Sequence, residues 1–418
     1  MEEKKHKMIF DKISKTKVLL LSIMVISLII GFFAIWKLSF ISPAPEGDAY
    51  EYDKTAILLA THGEIDMSFQ YIRAPGYSFF LAAIWKLFGH NYVIIYWLQF
   101  FLLGLTGIIA FFICKKHLNQ NNIISFLSAL TIIFWPYFIL HAKLLLVETL
   151  YSFLLLLFTY QLLEYVKNPK IQNAFLAGLF IGLATLTRPV PLLLPFWLAI
   201  AIFLYYLIKN KFDKQQKYII SKKIIFSMFL SVFIFLSTLA PWIIFASYKS
   251  GKFVPVASTF SDVYKGSNKS FTNEWNYYKT PGYEPGTEVT LKKIATIKIK
   301  NIFRFWKSGA NGYQAEALVK RFPITKYAII MYEIIFYIIL FLALLAVFFT
   351  FKEINIFLLW AIVSYNWLFH ATLHTQPRYN LPTIPIVIIL AFFTFNKILS
   401  YYQFYTTKNA THPKTKTL

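Results

Sequence analysis

The chain has 418 residues, of which 57% are hydrophobic and only 15% charged. An ordinary soluble domain carries about a quarter charged residues, so the composition excludes that class. The formal net charge of +23 is mostly Lys, and in a chain of apolar runs such charge answers to membrane topology, not to nucleic acid.

The apolar residues fall in runs of about 20, the length that crosses a hydrocarbon core as helix. Backbone inside a bilayer must satisfy its own hydrogen bonds, so the runs are read as helices. The expectation is an all-α, polytopic membrane protein, with residues 1–418 forming a single integral membrane domain. Ten spans are predicted: 18–40, 92–114, 123–140, 144–163, 172–187, 190–208, 224–248, 327–350, 354–373 and 381–398. The first is too long for a removed signal peptide and lacks a small-residue cleavage site. The fifth is short, and "GLFIG", with Gly178 and Gly182, gives it a close-packing face. Cys114 is the only cysteine, so no internal disulfide is possible.

Lys sets the orientation. The N-terminus holds Lys4, Lys5, Lys7, Lys12, Lys15 and Lys17, and the 209–223 loop holds six more. Lys115, Lys116, Lys167, Lys170 and the basic tail fall on the same side. The positive-inside rule makes that side cytoplasmic, with both termini there. Two segments then lie outside. In the first loop, 41–91, "APGYSFFLAAIWKLFG" (74–89) is apolar but too short to span, and reads as an interfacial helix. The other is the long loop 249–326, too polar for the bilayer and too aromatic for a disordered linker.

The polar residues that a bilayer penalises converge on that outer face. Six of the 19 acidic residues lie in 46–66, just after span one. Arg73 follows. Lys143 and Glu148 sit at the start of span four, and Arg188 ends span five. His370, His374, Gln376 and Arg378 close span nine in "HATLHTQPRY". An ionised group within the membrane costs about 2.5–3.5 kcal/mol on insertion scales, so such groups have partners or a function.

The ordered set of motifs resembles a known group. It comprises an acid just after span one, "RAPGY", an acid early in span four, "LATLTRP", "APW" before "GKFVPV", and a late "RYNLP". Together they are similar to the glycosyltransferase superfamily C, most closely its protein mannosyltransferase and aminoarabinose transferase branch, over most of residues 18–395. The resemblance implies transfer of a sugar, hexosyl or pentosyl, from a polyprenyl-phosphate carrier to an external lipid, glycan or protein acceptor, with inversion. It implies a bacterial cell membrane and a site on the external face. No cofactor is expected, and a divalent metal stays open. Two alternatives stand beside it: a transporter or flippase of lipid-linked glycans, which would place polar groups near the midplane, and a glycan ligase. One departure is that "APW" is followed by Ile243 and Ile244, where many relatives carry Arg-Asn. Its role is lost or moved to Lys249 or Lys252.

Asp48 matches the catalytic acidic position. Its alternative role is as N-cap of a capping box, "DAYE", with Glu51. Glu51, Asp53 and Glu148 are candidate assisting acids. Solvated loop charge is the simpler reading of the first two, and a cross-helix partner is expected for Glu148. Arg73, Arg378 and Arg188 are the candidate phosphate ligands, since the planar guanidinium forms paired charge-assisted bonds. Each has interface anchoring as its simpler reading. His374, Gln376 and Tyr379 are candidate substrate-lining residues. His370 and His374 share a spacing compatible with zinc, but "HExxH" is missing and interface hydrogen bonding outranks a metal role.

Overall fold

The structure is a computed structural model. It describes residues 2–40, 45–65, 72–212, 222–258, 291–309, 313–350, 352–373 and 375–411. Each of the ten apolar runs is helical. In chain order the helices are α1 (Glu2–Lys37), α2 (Asp48–His62), α3 (Gly76–Phe88), α4 (Tyr92–Phe112), α5 (Asn122–Ile133), α6 (Pro136–Ala142), α7 (Glu148–Lys167), α8 (Ile171–Thr187), α9 (Leu194–Phe212) and α10 (Lys222–Ser250). They continue with α11 (Leu291–Arg304), α12 (Tyr313–Arg321), α13 (Thr325–Leu345), α14 (Ile354–Thr372) and α15 (Ile384–Thr411). The described residues contain no strand.

Among the described residues, eight helical stretches are long and apolar enough to cross a membrane, from Lys15–Lys37 to Pro377–Thr406. The difference from ten has two physical causes. The third run breaks at Trp135–Pro136, because proline supplies no N–H to continue the ladder. α5 and α6 therefore meet at 52°, and counting this bent pair gives nine. The fifth run, α8, has 17 residues and depends on its neighbours. A Cβ on Gly182 would lie 2.7 Å from Cβ of Thr238 on α10, so glycine is what lets the two backbones approach.

Between α1 and α4 the chain forms the two short helices α2 and α3, packed together by the edge contact of Tyr52 and Tyr77. α3 begins against the end of α8: a Cβ on Gly76 would lie 2.8 Å from the carbonyl carbon of Leu186. The segment after α10 folds back. Val256 accepts from Trp242 Nε1 at 2.7 Å, and Ser258 exchanges hydrogen bonds with Ile72 at 2.8 and 2.9 Å. The residue before Arg73 is thus tied to the return from α10.

A second brace sets the turn before α7. Buried Gln99 donates to the carbonyls of Ala142 and Leu144 at 3.1 and 2.8 Å, and accepts from Tyr77 at 3.1 Å. A third holds the 3₁₀ turn Pro377–Thr383, where Asn380 donates to the carbonyls of Phe305 and Lys307. All three braces lie at one end of the bundle. Lys115, Lys116, Lys167 and Lys209 lie at the other, where α4, α7 and α9 place them.

Candidate active site

Asp48 is the first residue of α2. The expected capping box does not form. Gly47, at φ 55°, is the N-cap, and α2 has no side-chain cap hydrogen bond. The reason is competition: Asp48 and Glu51 face arginines that offer charged donors, roughly twice as strong as neutral ones. Arg73 Nη2 donates to Asp48 Oδ1 at 3.0 Å, and Arg73 Nε donates to Glu51. Arg378 Nη2 donates to Asp48 Oδ2 at 2.8 Å. Arg378 also faces Glu148 at 3.9 Å, and Arg188 faces the same Glu148 oxygen at 3.7 Å.

The result is an alternating chain, Glu51–Arg73–Asp48–Arg378–Glu148–Arg188. Three carboxylates and three guanidinium groups leave its net charge at zero. Each member is positioned by a local signal. Asp48 and Glu51 lie in the first turn of α2, where the helix dipole favours acids. Glu148 likewise opens α7. Pro189 ends α8 and leaves Arg188 extended as its C-cap. Arg73 precedes Pro75, the N-cap of α3, and Arg378 follows Pro377 in the 3₁₀ turn.

Burial sharpens these pairings. Burial by itself would raise the Asp48 pKa, but the charges of Arg378 and Arg73 outweigh it and hold the carboxyl below its usual value. Arg73 is raised further above its ordinary range. Burial opposes this, and the hydrogen bond to Glu51 with the neighbouring acids prevails. Glu148 is 2% exposed and its Oε2 has no hydrogen-bond partner among the described residues. Aromatic rings complete the site. The Arg188 guanidinium lies 4.4 Å from the Tyr379 ring centroid, and Arg73 lies 5.5 Å from that of Tyr52.

Asp53 does not join this chain. It is buried, accepts 2.7 Å from Tyr92 and pairs with His90 at 3.0 Å. It lies 5 positions beyond Asp48, on a different face of α2, and it clamps α2 to the start of α4. Of the three candidate assisting acids, Asp53 is thus the one whose carboxylate contacts His90 and Tyr92 and no arginine of the chain. Glu148 has the cross-helix partners expected of it, while Lys143 lies over the Tyr96 ring at 4.2 Å. Gln376 caps the 3₁₀ turn and its carbonyl accepts from Tyr379 N at 3.0 Å. His374 lies outside the described residues. His370 stacks on Tyr379 and Phe305. Among the described residues no three His, Cys, Asp or Glu come together. At the departure from the family pattern, Ile244 is exposed, and among the described residues neither Lys249 nor Lys252 forms an ion pair with the chain of six.

Sequence reasoning missed Tyr52 as a wall of the site, and read Tyr379 as lining substrate. The signal for Tyr52 is its place one helical turn after Asp48, on the same face.

Residues 72–245 match the family model for dolichyl-phosphate-mannose-protein mannosyltransferase. That region holds Arg73, Glu148 and Arg188. Among solved structures, the chain is similar to ArnT from Cupriavidus metallidurans bound to undecaprenyl phosphate, with a TM-score of 0.54 and 12% identity over 90% of this chain and 60% of that one. The apo state of the same protein matches with a TM-score of 0.50, at 11% identity over 90% of this chain and 59% of that one. The chain thus spans less than two thirds of the length of those structures, and what they share is the fold. No curated protein sequence matches it. The family model and the shared fold agree with the resemblance carried by the motifs, and with an integral membrane protein of many helices.

Proposed function

We propose that the protein is a membrane glycosyltransferase that moves a sugar from a polyprenyl-phosphate carrier to an acceptor hydroxyl on the external face of a bacterial cell membrane. The observation that carries this reading is the alternating chain of three arginines and three carboxylates at one end of an apolar bundle. Guanidinium groups suit a phosphate leaving group. A carboxylate among them suits a base.

The acceptor oxygen attacks the anomeric carbon. The bond from that carbon to the phosphate oxygen breaks, and its electron pair leaves with the carrier phosphate. Direct displacement inverts the anomeric centre. Asp48, charged at neutral pH, takes the acceptor proton, a contribution of about 10²–10⁴-fold in such chemistry. Arg73, Arg378 and Arg188 bind the phosphate and stabilise its charge as it departs. The apolar helices hold the prenyl chain.

The ArnT structure, crystallised with undecaprenyl phosphate, supports this carrier class. The Lys-rich opposite end of the bundle supports an external site with cytoplasmic termini. The test is purified protein in lipid nanodiscs with radiolabelled polyprenyl-phosphate sugars, assayed for carrier release with and without a chelator. Release that depends on an acceptor supports the reading, and the chelator arm decides metal dependence. No release from any polyprenyl-phosphate sugar, with carrier flipping between leaflets instead, would replace it with the transporter reading.

A further inference from the structure

The three arginines are not equally committed. Arg73 donates to Asp48 and Glu51, and Arg378 donates to Asp48. Arg188 makes no side-chain hydrogen bond among the described residues. Its Nη1 is buried, 3.7 Å from Glu148 and outside hydrogen-bond geometry. A guanidinium donor withheld from water without an acceptor is costly, so its direction must be fixed by something else.

That something is a column of rings. Arg188 lies over Tyr379 at 4.4 Å. Tyr379 stacks on His370 at 4.7 Å and 27°, and His370 stacks on Phe305 at 5.9 Å and 24°. The four layers come from four separate pieces of chain: the end of α8, the 3₁₀ turn, α14 and the residue after α11. A guanidinium whose face is covered by a ring meets other partners through its edge, where all its N–H groups lie.

We infer that Tyr379 is a positioning residue, which, backed by His370 and Phe305, holds Arg188 flat and aims its uncommitted donors at the phosphate of the lipid-linked sugar. This rests on the proposed function and adds a division of labour. Arg73 and Arg378 serve Asp48 as well as the phosphate, and Arg188 serves the phosphate. The role belongs to the aromatic face of Tyr379, so its hydroxyl is not required.

The experiment measures binding of undecaprenyl phosphate to the full-length protein in detergent, together with donor KM and kcat. Tyr379→Phe is expected to stay within about threefold of wild type. Tyr379→Leu removes a desolvated cation–ring contact, and donor affinity is expected to fall about tenfold to thirtyfold with kcat changed less. Arg188→Ala is expected to lose at least as much, and the double variant no more than Arg188→Ala alone. If Tyr379→Leu does not fold, His370→Phe against His370→Leu makes the same comparison one layer back. Additive losses in the double variant, or Tyr379→Phe as impaired as Tyr379→Leu, would overturn the inference. Wild-type protein that binds undecaprenyl phosphate while Arg188→Ala binds equally well would sink the inference alone. Wild-type protein that binds none would sink the proposed function itself.

Discussion

Replacing Asp48 by Asn keeps the side chain's shape and removes its charge. Asp48 gives one oxygen to Arg73 and the other to Arg378, at 3.0 and 2.8 Å. On its proposed role as base, its loss should cost about 10²–10⁴-fold in turnover. Donor affinity should move the other way. A phosphate held by the same two arginines would lie about 7 Å from the carboxylate, across one guanidinium. Two like charges at that distance repel by ~2 kcal/mol at an effective dielectric of about 20. The Asp48 side chain is 22% exposed, and solvent screening reduces the figure to ~1 kcal/mol, or about fivefold tighter binding. The assay is single-turnover transfer beside equilibrium binding of undecaprenyl phosphate. Turnover near wild type would remove Asp48 as base. Affinity weakened tenfold or more would show that Asp48 serves chiefly to hold the two arginines, not to compete with the phosphate.

Arg73→Ala and Arg378→Ala should each weaken donor binding by about 2–5 kcal/mol; the pair should be less than additive because both arginines share Asp48, with strict additivity in a titration of undecaprenyl phosphate counting against a common site. Gly76→Ala puts a Cβ 2.8 Å from the backbone of Leu186 and Thr187, so α3 must move from α8 at a cost of about 1–3 kcal/mol; a lower melting temperature with reduced turnover is expected, read by thermal unfolding and the transfer assay. The Asp48 carboxyl is held below its usual value, so its stabilisation is complete above the unfolded carboxylate range and is lost as pH falls through the folded value. The difference in melting temperature between wild type and Asp48→Asn should then be flat down to about pH 5 and close below about pH 4. Cysteines introduced at exposed Tyr50 and Phe253 should react with an impermeant reagent on intact cells, and one at exposed Tyr401 should not; labelling of Tyr401→Cys would reverse the orientation.

Most of the helices were legible because bilayer thickness acts on run length, and composition alone reports it. The break at Trp135–Pro136 was hidden inside a run whose hydropathy is continuous, since proline interrupts hydrogen bonding without lowering apolarity. The gathering of Asp48, Glu51, Arg73, Glu148, Arg188 and Arg378 at one end followed from topology, because each lies at a helix end on the same side. Who pairs with whom did not follow. A capping box is a local inference from four residues, and at Asp48 it yielded to Arg378, 330 positions away. Asp53 and Glu51, two acids two positions apart, occupy different faces of α2, a distinction that matters once His90 and Tyr92 arrive at the start of α4. The stack beneath Arg188 draws its three rings from three separate pieces of chain and leaves no periodic trace in the sequence.

The neutrality of the six-group chain also bears on how the protein is made. Synthesis delivers α2 and the Arg73 segment first, with two acids and one base. α7 and α8 then add Glu148 and Arg188, which balance each other. One negative charge remains uncompensated until Arg378 arrives just ahead of the last helix. The nascent protein therefore carries an electrical imbalance within this group through nearly the whole of translation, and only docking of the final hairpin cancels it. Truncation before Arg378, or a slow last insertion, would leave Asp48 with Arg73 alone and Glu148 with Arg188 alone, one acid in excess, so the electrical completion of the site waits on the last hairpin.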